Sequence, residues 1–376
     1  MDSSQAPLRW DLVCRVVDNL GDAAVMWRLA RQLAVEHRRQ VRLHIDQPAV
    51  LRQLVPEAGP GAVADGVRVL AIADGARPAA TNAIADTDVV VTGFHAALPR
   101  GWRQRMAPGR PLWIHLEYLT AEGWIEGFHR LPSPHPGGIV EHYFYPGFSS
   151  ASGGLLREAD LLERRDRFAA EPGAAARFLA GLGVQRREGE TLASLLCYPD
   201  APLADLARLL GQTSTRLHLL VPEGVAVGGD DDAGSHLRFS RIPFLPQRQY
   251  DRLLWSCDFN FVRGEDSLVR GLWSGRPFVW QIYRQADDAH LPKLEAFLRL
   301  LPAGSLADAM RWWNRLPGVP PAAMLELIQE APARAAALPH ALLERLARPD
   351  LASRLLAFAG SLSQHPPTAA RPAEKL

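Results

Sequence analysis

The first apolar run of the chain is Leu12-Val13-Cys14-Arg15-Val16-Val17, which stops at Asp18. From Ala23 to Glu36, Val25, Leu29 and Leu33 recur every four residues, a spacing that predicts an amphipathic helix. Short apolar runs return over Val41–Ile45, Val67–Ile72, Asp88–Val91 and Leu112–Leu116, each of strand length. Strands alternating with helices imply a parallel sheet covered by helices, the α/β class. Between Ala169 and Glu190 the chain becomes rich in Ala, Gly and Arg, interrupted by Pro172-Gly173 and Gly181-Leu182-Gly183. This predicts a domain boundary near residue 185. The alternation then restarts, with strands over Leu192–Cys197, Leu217–Val221, Asp258–Val262 and Phe278–Ile282 and a helix over Leu203–Leu210. The expected organisation is two doubly wound domains, 1–184 and 185–350, facing across a cleft. Ala335–Ser361 reads as one strongly helical segment, and 351–376 as a helix and tail packing back on the first domain. Ligands of such folds sit beyond the carboxyl ends of the strands.

Length and charge narrow the function. At roughly 150 residues per domain, 376 residues also give two domains. Lys+Arg number 42 against 41 Asp+Glu, a formal charge of +1. No bulk positive field exists to hold a nucleic-acid backbone, so nucleic acid is not expected as a partner. The three cysteines, Cys14, Cys197 and Cys257, form no CxxC, which disfavours a disulfide framework and a structural zinc site. No run of about 18 apolar residues is present, so no membrane span is expected, and the start lacks the apolar core of a signal peptide. The expected location is the cytoplasm.

Two constellations could carry chemistry. Asp18-Asn19-Leu20-Gly21-Asp22 lies between the first strand and the first helix. Asp22 could cap that helix, or Asp18 and Asp22 could orient and deprotonate a nucleophile. In the second half, Arg263-Gly264-Glu265 is a tight loop after a strand, and Asp266-Ser267 opens a helix running to Trp273. Arg263 and the amides of that helix start suit a diphosphate. Glu265 and Asp266 contradict a simple anion site, unless the ligand also presents hydroxyls or a base edge. Alternatively, Asp266 or Ser267 caps the helix and Arg263 pairs with Glu265. Tyr198 follows a strand and Tyr250 opens a helix, so either could stack on a ring or pack in the core. Gln247 could read a base edge. Trp255, Trp273 and Trp280 read as core. His129, His135 and His142 are not at metal-ligand spacing. Gly228-Gly229-Asp230-Asp231-Asp232 reads as a solvated loop rather than a cation site.

Beside these residues, CRVVDNLGDAAVMWRLARQLA, WIHLEYLTAEGWIEGFHRLPSPHP, YFYPGF and LLWSCDFNFVRGEDSLVRGLWSGRPFVWQIYRQADDAHLPKLEAFL resemble the EarP family of protein-arginine rhamnosyltransferases, over roughly residues 10–300. The resemblance implies a GT-B fold of two Rossmann-like domains. It implies inverting transfer of L-rhamnose from dTDP-β-L-rhamnose to one arginine of translation elongation factor P, supporting translation of polyproline stretches. No metal or cofactor is expected. Carried onto this chain, Asp22 is the general base, Asp18 its neighbour on the acceptor guanidinium, and Glu265 a member of the same acidic set. Gly21, Tyr198, Gln247, Tyr250, Arg263, Asp266 and Ser267 match donor-binding positions. The sequence departs from the family pattern at Ala23-Ala24, His115 and Tyr250, where Ile-Gly, Asn and Phe are more usual. The rival readings are another GT-B sugar-nucleotide enzyme, either a small-acceptor transferase or an epimerase, and a non-catalytic nucleotide binder.

Overall fold

The computed structural model describes residues 8–17, 20–72, 86–99, 101–107, 111–227, 236–302, 304–333 and 338–364. The chain divides into two compact units, Met1–Leu156 with Arg348–Leu376, and Arg157–Ala347.

The first unit runs β1 (Arg9–Cys14), α1 (Leu20–Val35), β2 (Gln40–Ile45), α2 (Pro48–Leu54), β3 (Val63–Ala64), β4 (Val67–Ala71), β5 (Val89–Gly93), β6 (Leu112–Leu116), β7 (Pro132–His135) and β8 (Ile139–Phe144). Its sheet has the order β3-β4-β2-β1-β5-β6-β8-β7, parallel except for the outer pairs β3/β4 and β7/β8. The central strands are mostly apolar because both faces are covered; every residue of β5 and β6 is buried. The helix α1 begins before the first apolar position of its stripe and buries Val25, Leu29 and Leu33 as the spacing predicts. It also buries Ala23, Ala24 and Met26 against the sheet. A Cβ on Gly93, at the end of β5, would lie 2.5 Å from Met26 Sδ, so a side chain there would push α1 away.

The second unit opens with α3 (Leu161–Ala170) and α4 (Ala174–Gly181). It continues with β9 (Glu190–Leu195), α5 (Leu203–Leu210), β10 (Arg216–Pro222), β11 (Leu237–Ile242), α6 (Gln247–Ser256), β12 (Phe259–Arg263), α7 (Asp266–Trp273) and β13 (Phe278–Gln281). The helices α8 (His290–Leu298), α9 (Ser305–Trp313), α10 (Ala322–Glu330) and α11 (His340–Ala347) complete it. Its sheet is parallel throughout, in the order β11-β10-β9-β12-β13. Trp255, Trp273 and Trp280 are all buried, as expected of core residues.

The units divide between Leu156 and Arg157, not near residue 185. The Ala- and Arg-rich stretch that reads as a linker folds as α3 and α4. Its few apolar residues serve the second core: Phe168 packs on Phe178 and Trp255, and Leu179 and Val184 join Leu192, Leu220, Leu253 and Cys257. The segment expected as one helix over Ala335–Ser361 contains a break. After α11, α12 (Leu351–Gln364) starts beyond Pro349, which cannot donate within a helix and disfavours helical geometry in the residue before it. The break is also the return to the first unit. Phe358 of α12 contacts the His142 and Phe144 rings, and Gln32 Nε2 donates to Asp350 Oδ1 at 3.0 Å. The Gly228–Asp232 loop lies outside the described residues. Among the described residues, no helix is long and apolar enough to cross a membrane.

Candidate active site

In each sheet the chain order reverses beside one strand. In the first, β1 pairs with β2 on one side and β5 on the other; in the second, β9 pairs with β10 and β12. The carboxyl ends of the strands at such a switch leave an open crevice where doubly wound folds bind ligands.

In the first unit this position is held by the start of α1. Asp22 is the third residue of that helix, and its carboxylate is buried at 3% exposure. It does not cap the helix from outside. Instead Oδ2 accepts the backbone N–H of Val17 at 2.8 Å, tying the helix start to the chain leaving β1. The carboxylate also adds to burial in pushing the neighbouring Cys14 thiol up. Gly21, half-buried, is the second helical residue. Asp18 and Asn19 lie outside the described residues.

Beside this position, at the carboxyl ends of β5 and β6, a cavity of about 510 Å³ is lined by His95, Arg103, His115, Glu117, Glu141 and Tyr143 among others. Burial alone would raise the Glu141 carboxyl, but hydrogen bonds and charge from His115 and His135 hold it below its ordinary value. Of these residues, sequence reasoning picks out only His115, as a departure from the family pattern, and Arg103, in a basic stretch with Arg100, Arg105 and Arg110 that reads as solvated surface. The signal that could have found most of the others is position: His95 and Glu117 closely follow β5 and β6, and Glu141 and Tyr143 lie in β8.

In the second unit, the loop between β12 and α7 turns at Gly264, whose φ of 60° favours glycine. Trp280 Nε1 donates to the Gly264 carbonyl at 2.8 Å and anchors this turn to β13. Arg263 ends β12. Its Nη1 donates to the Cys197 carbonyl at 2.6 Å, and its guanidinium carbon lies 4.9 Å from the Tyr198 ring centroid. Tyr198 follows β9, and its backbone N–H donates to Gln281 Oε1 at 2.8 Å. Arg263 and Tyr198 thus come together at the switch point from sequence positions far apart.

The acids that spoil a simple anion site are each matched with a cation. Glu265 Oε1 accepts from Lys293 Nζ at 2.8 Å, so Arg263 does not pair with Glu265. Asp266 Oδ2 accepts from Arg270 Nε at 3.0 Å, and Arg270 Nη1 donates to Asp251 Oδ1 at 2.5 Å. Burial opposes the charge of Arg270, but the Asp251 and Asp266 carboxylates raise its pKa well beyond the ordinary arginine value. The Ser267 hydroxyl donates to the Arg263 carbonyl and accepts the Arg263 N–H at 2.9 Å, so it closes the turn. What the start of α7 offers a ligand is therefore its backbone amides. Gln247 is buried as the first residue of α6. Tyr250 packs against the Leu179–Cys257 core cluster, and burial pushes its phenol pKa up. Its hydroxyl has no hydrogen-bond partner among the described residues.

Residues 10–360 match the model of the elongation factor P (EF-P) rhamnosyltransferase EarP. The chain belongs to the EarP family. The protein-arginine rhamnosyltransferase of Pseudomonas aeruginosa is 45% identical over 374 residues, covering 93% of this chain and 98% of that relative. The protein-arginine rhamnosyltransferase of Pseudomonas putida is 42% identical over 327 residues, covering 81% and 86%. A solved structure described as the structural basis for EarP-mediated arginine glycosylation of translation elongation factor EF-P superposes with a TM-score of 0.58 at 30% identity, covering 94% of this chain and 99% of that one. A UGT transferase from Siraitia grosvenorii in complex with UDP shares the fold alone, with a TM-score of 0.51 at 10% identity over 95% of this chain and all of that one. As an EarP-family member the chain is a glycosyltransferase with the GT-B fold.

Proposed function

We propose that this chain moves L-rhamnose from dTDP-β-L-rhamnose to an arginine side chain of EF-P, inverting the anomeric carbon and so supporting translation of polyproline stretches. The observation that carries the reading is the Arg263–Tyr198 pair beside the start of α7, at the carboxyl end of the second sheet. A diphosphate is held there by the guanidinium and the helix start, and a ring stacks on an aromatic already braced by a cation.

The acceptor sets the other half of the chemistry. A guanidinium has a pKa above 12 and arrives protonated, a poor nucleophile. Asp22, with Asp18, localises its charge, aims one nitrogen at the sugar and takes a proton. The nitrogen forms a bond to the anomeric carbon as the bond to the diphosphate oxygen breaks. The proton passes to the Asp22 carboxylate, and the electron pair leaves with dTDP. Arg263 and the α7 amides stabilise that departing charge, so no step is routed through a metal or cofactor. Glu265, ion-paired with Lys293, is the second unit's contribution to the acidic set. Gln247, Tyr250, Asp266 and Ser267 shape the donor pocket, with Gly21 at the mouth of the first helix. The protein works in the cytoplasm, where its substrates are.

Incubation with EF-P and dTDP-rhamnose, followed by intact mass, tests the reading. The expected result is the gain of one deoxyhexose on one arginine. An unmodified acceptor, with donor consumed on a small molecule or epimerised, would move the assignment to another GT-B activity.

A further inference from the structure

The cavity of the first unit holds side chains that the transfer chemistry does not use. His95, His115 and Glu117 each offer one ligand atom, and these atoms lie within 4.8 Å of one another. His115 Nε2 stands 3.8 Å from Glu117 Oε1, and His95 Nε2 stands 4.0 Å from Glu117 Oε2. His115 is held from behind: its Nδ1 lies 3.3 Å from Glu141 Oε1 and 3.0 Å from Thr92 Oγ1. Glu141 is itself fixed by His135 Nε2 at 2.9 Å. The backbone N–H of His95 donates to His115 Nε2 at 3.3 Å, which makes Nε2 the lone-pair nitrogen and Nδ1 the protonated one.

We propose that His95, His115 and Glu117 bind one divalent transition-metal ion of the zinc class, with Glu141 as the positioning residue of His115. Two imidazoles and a carboxylate are a donor set that zinc takes, and three protein ligands leave a coordination position open to the cavity. A carboxylate on the far nitrogen of a ligating histidine fixes its tautomer and ring orientation, and Glu141 stands in that place. Ligand atoms about 2.0–2.2 Å from a tetrahedral ion lie roughly 3.4 Å apart, so the trio must contract slightly. His95 supplies the movement, since its side chain is 72% exposed whereas those of His115 and Glu117 are 7% and 12%. The ion replaces the long His95 N–H bond on Nε2. The ligands come from β6 and from the loops after β5 and β6, so no metal motif is visible in their spacing along the chain.

The test uses the full chain, freed of any affinity tag and treated with chelator, titrated with Zn²⁺ by calorimetry and with Co²⁺ by visible absorption. One equivalent of Zn²⁺ is expected to bind and raise the melting temperature, and Co²⁺ is expected to give the intense bands of a four-coordinate site. His95→Ala changes an exposed side chain and should leave the fold intact. It should weaken Zn²⁺ at least tenfold and abolish the cobalt bands. Glu141→Gln should weaken binding about 10–100-fold at unchanged stoichiometry. Absence of the cobalt bands in the wild type, or Zn²⁺ bound as tightly by His95→Ala and Glu117→Gln, overturns the site. None of these readouts depends on rhamnosyl transfer.

Discussion

The two sheets share a doubly wound topology, yet the crevices at their switch points have opposite character. Beside β1 stands a carboxylate, Asp22, in the first turn of α1. Beside β9 and β12 stands a guanidinium, with an aromatic ring under it and helix amides next to it. The second crevice contains acids too, but Glu265 and Asp266 are matched with Lys293 and Arg270. The difference teaches that the fold supplies the place, while a few residues after the strands supply the sign of charge. An acidic crevice suits a cationic acceptor, and a basic one suits an anionic donor.

The strongest way to break this comparison is Asp22→Asn. Asn keeps the size and can accept the Val17 N–H through its carbonyl oxygen, but lacks the charge. Transfer should fall by at least about 100-fold, the scale of losing a general base, while the calorimetric Kd for dTDP changes little. Near wild-type transfer by a folded variant would make Asp22 a purely structural acid. Arg263→Ala is the mirror experiment. It should weaken dTDP binding by about 1.5–3 kcal/mol, and an unchanged Kd would remove the guanidinium from the donor site.

Tyr250→Phe sharpens the contrast further. The Tyr250 hydroxyl is buried without a protein partner among the described residues. Its removal should raise the melting temperature of the ligand-free protein while weakening donor binding by about 1 kcal/mol. Gain in both would show that the hydroxyl meets no donor atom.

The smallest effect is one in which the two units should behave alike. Burial first, then nearby arginines, lower His129 in the first unit and His218 in the second to about 4. Folding favours the neutral ring, so this stabilisation is complete above about pH 6.5 and is lost as pH falls towards about 4. Melting temperatures followed from pH 7 to pH 4 should decline through that window, and His218→Gln should flatten part of the slope. An unchanged slope in that variant would show that His218 does not contribute.

The central strands and most of the helices that matter for the site were legible because each carries its own periodicity. Leu112–Leu116 and Leu203–Leu210 have the same bounds in sequence and structure, since each has a clear local period and follows a proline. The candidate site was legible as a list of residues at strand ends and helix starts. Their pairings were not: nothing local links Glu265 to Lys293, or Tyr198 to Arg263. Asp11 shows the same limit. It lies in a strand like any buried residue, and only the fold surrounds it with Arg42 at 2.6 and 2.7 Å, His44 at 3.0 Å, and Thr87. Burial would raise its carboxyl, yet these partners hold it below the ordinary value, which marks it as a structural acid.

The sequence by itself determined the α/β class, the duplication of a strand-and-helix pattern, and the residue types available at the two strand-to-helix junctions. Propensity and periodicity act within a turn or a few strand residues, so those features are written locally. Tertiary structure decided where the units divide, sending α3 and α4 to the second core and α12 back to the first. It also decided which acids are neutralised and which side chains share a cavity, because burial and charge pairing depend on atoms that meet only after chain segments tens to hundreds of residues apart have packed.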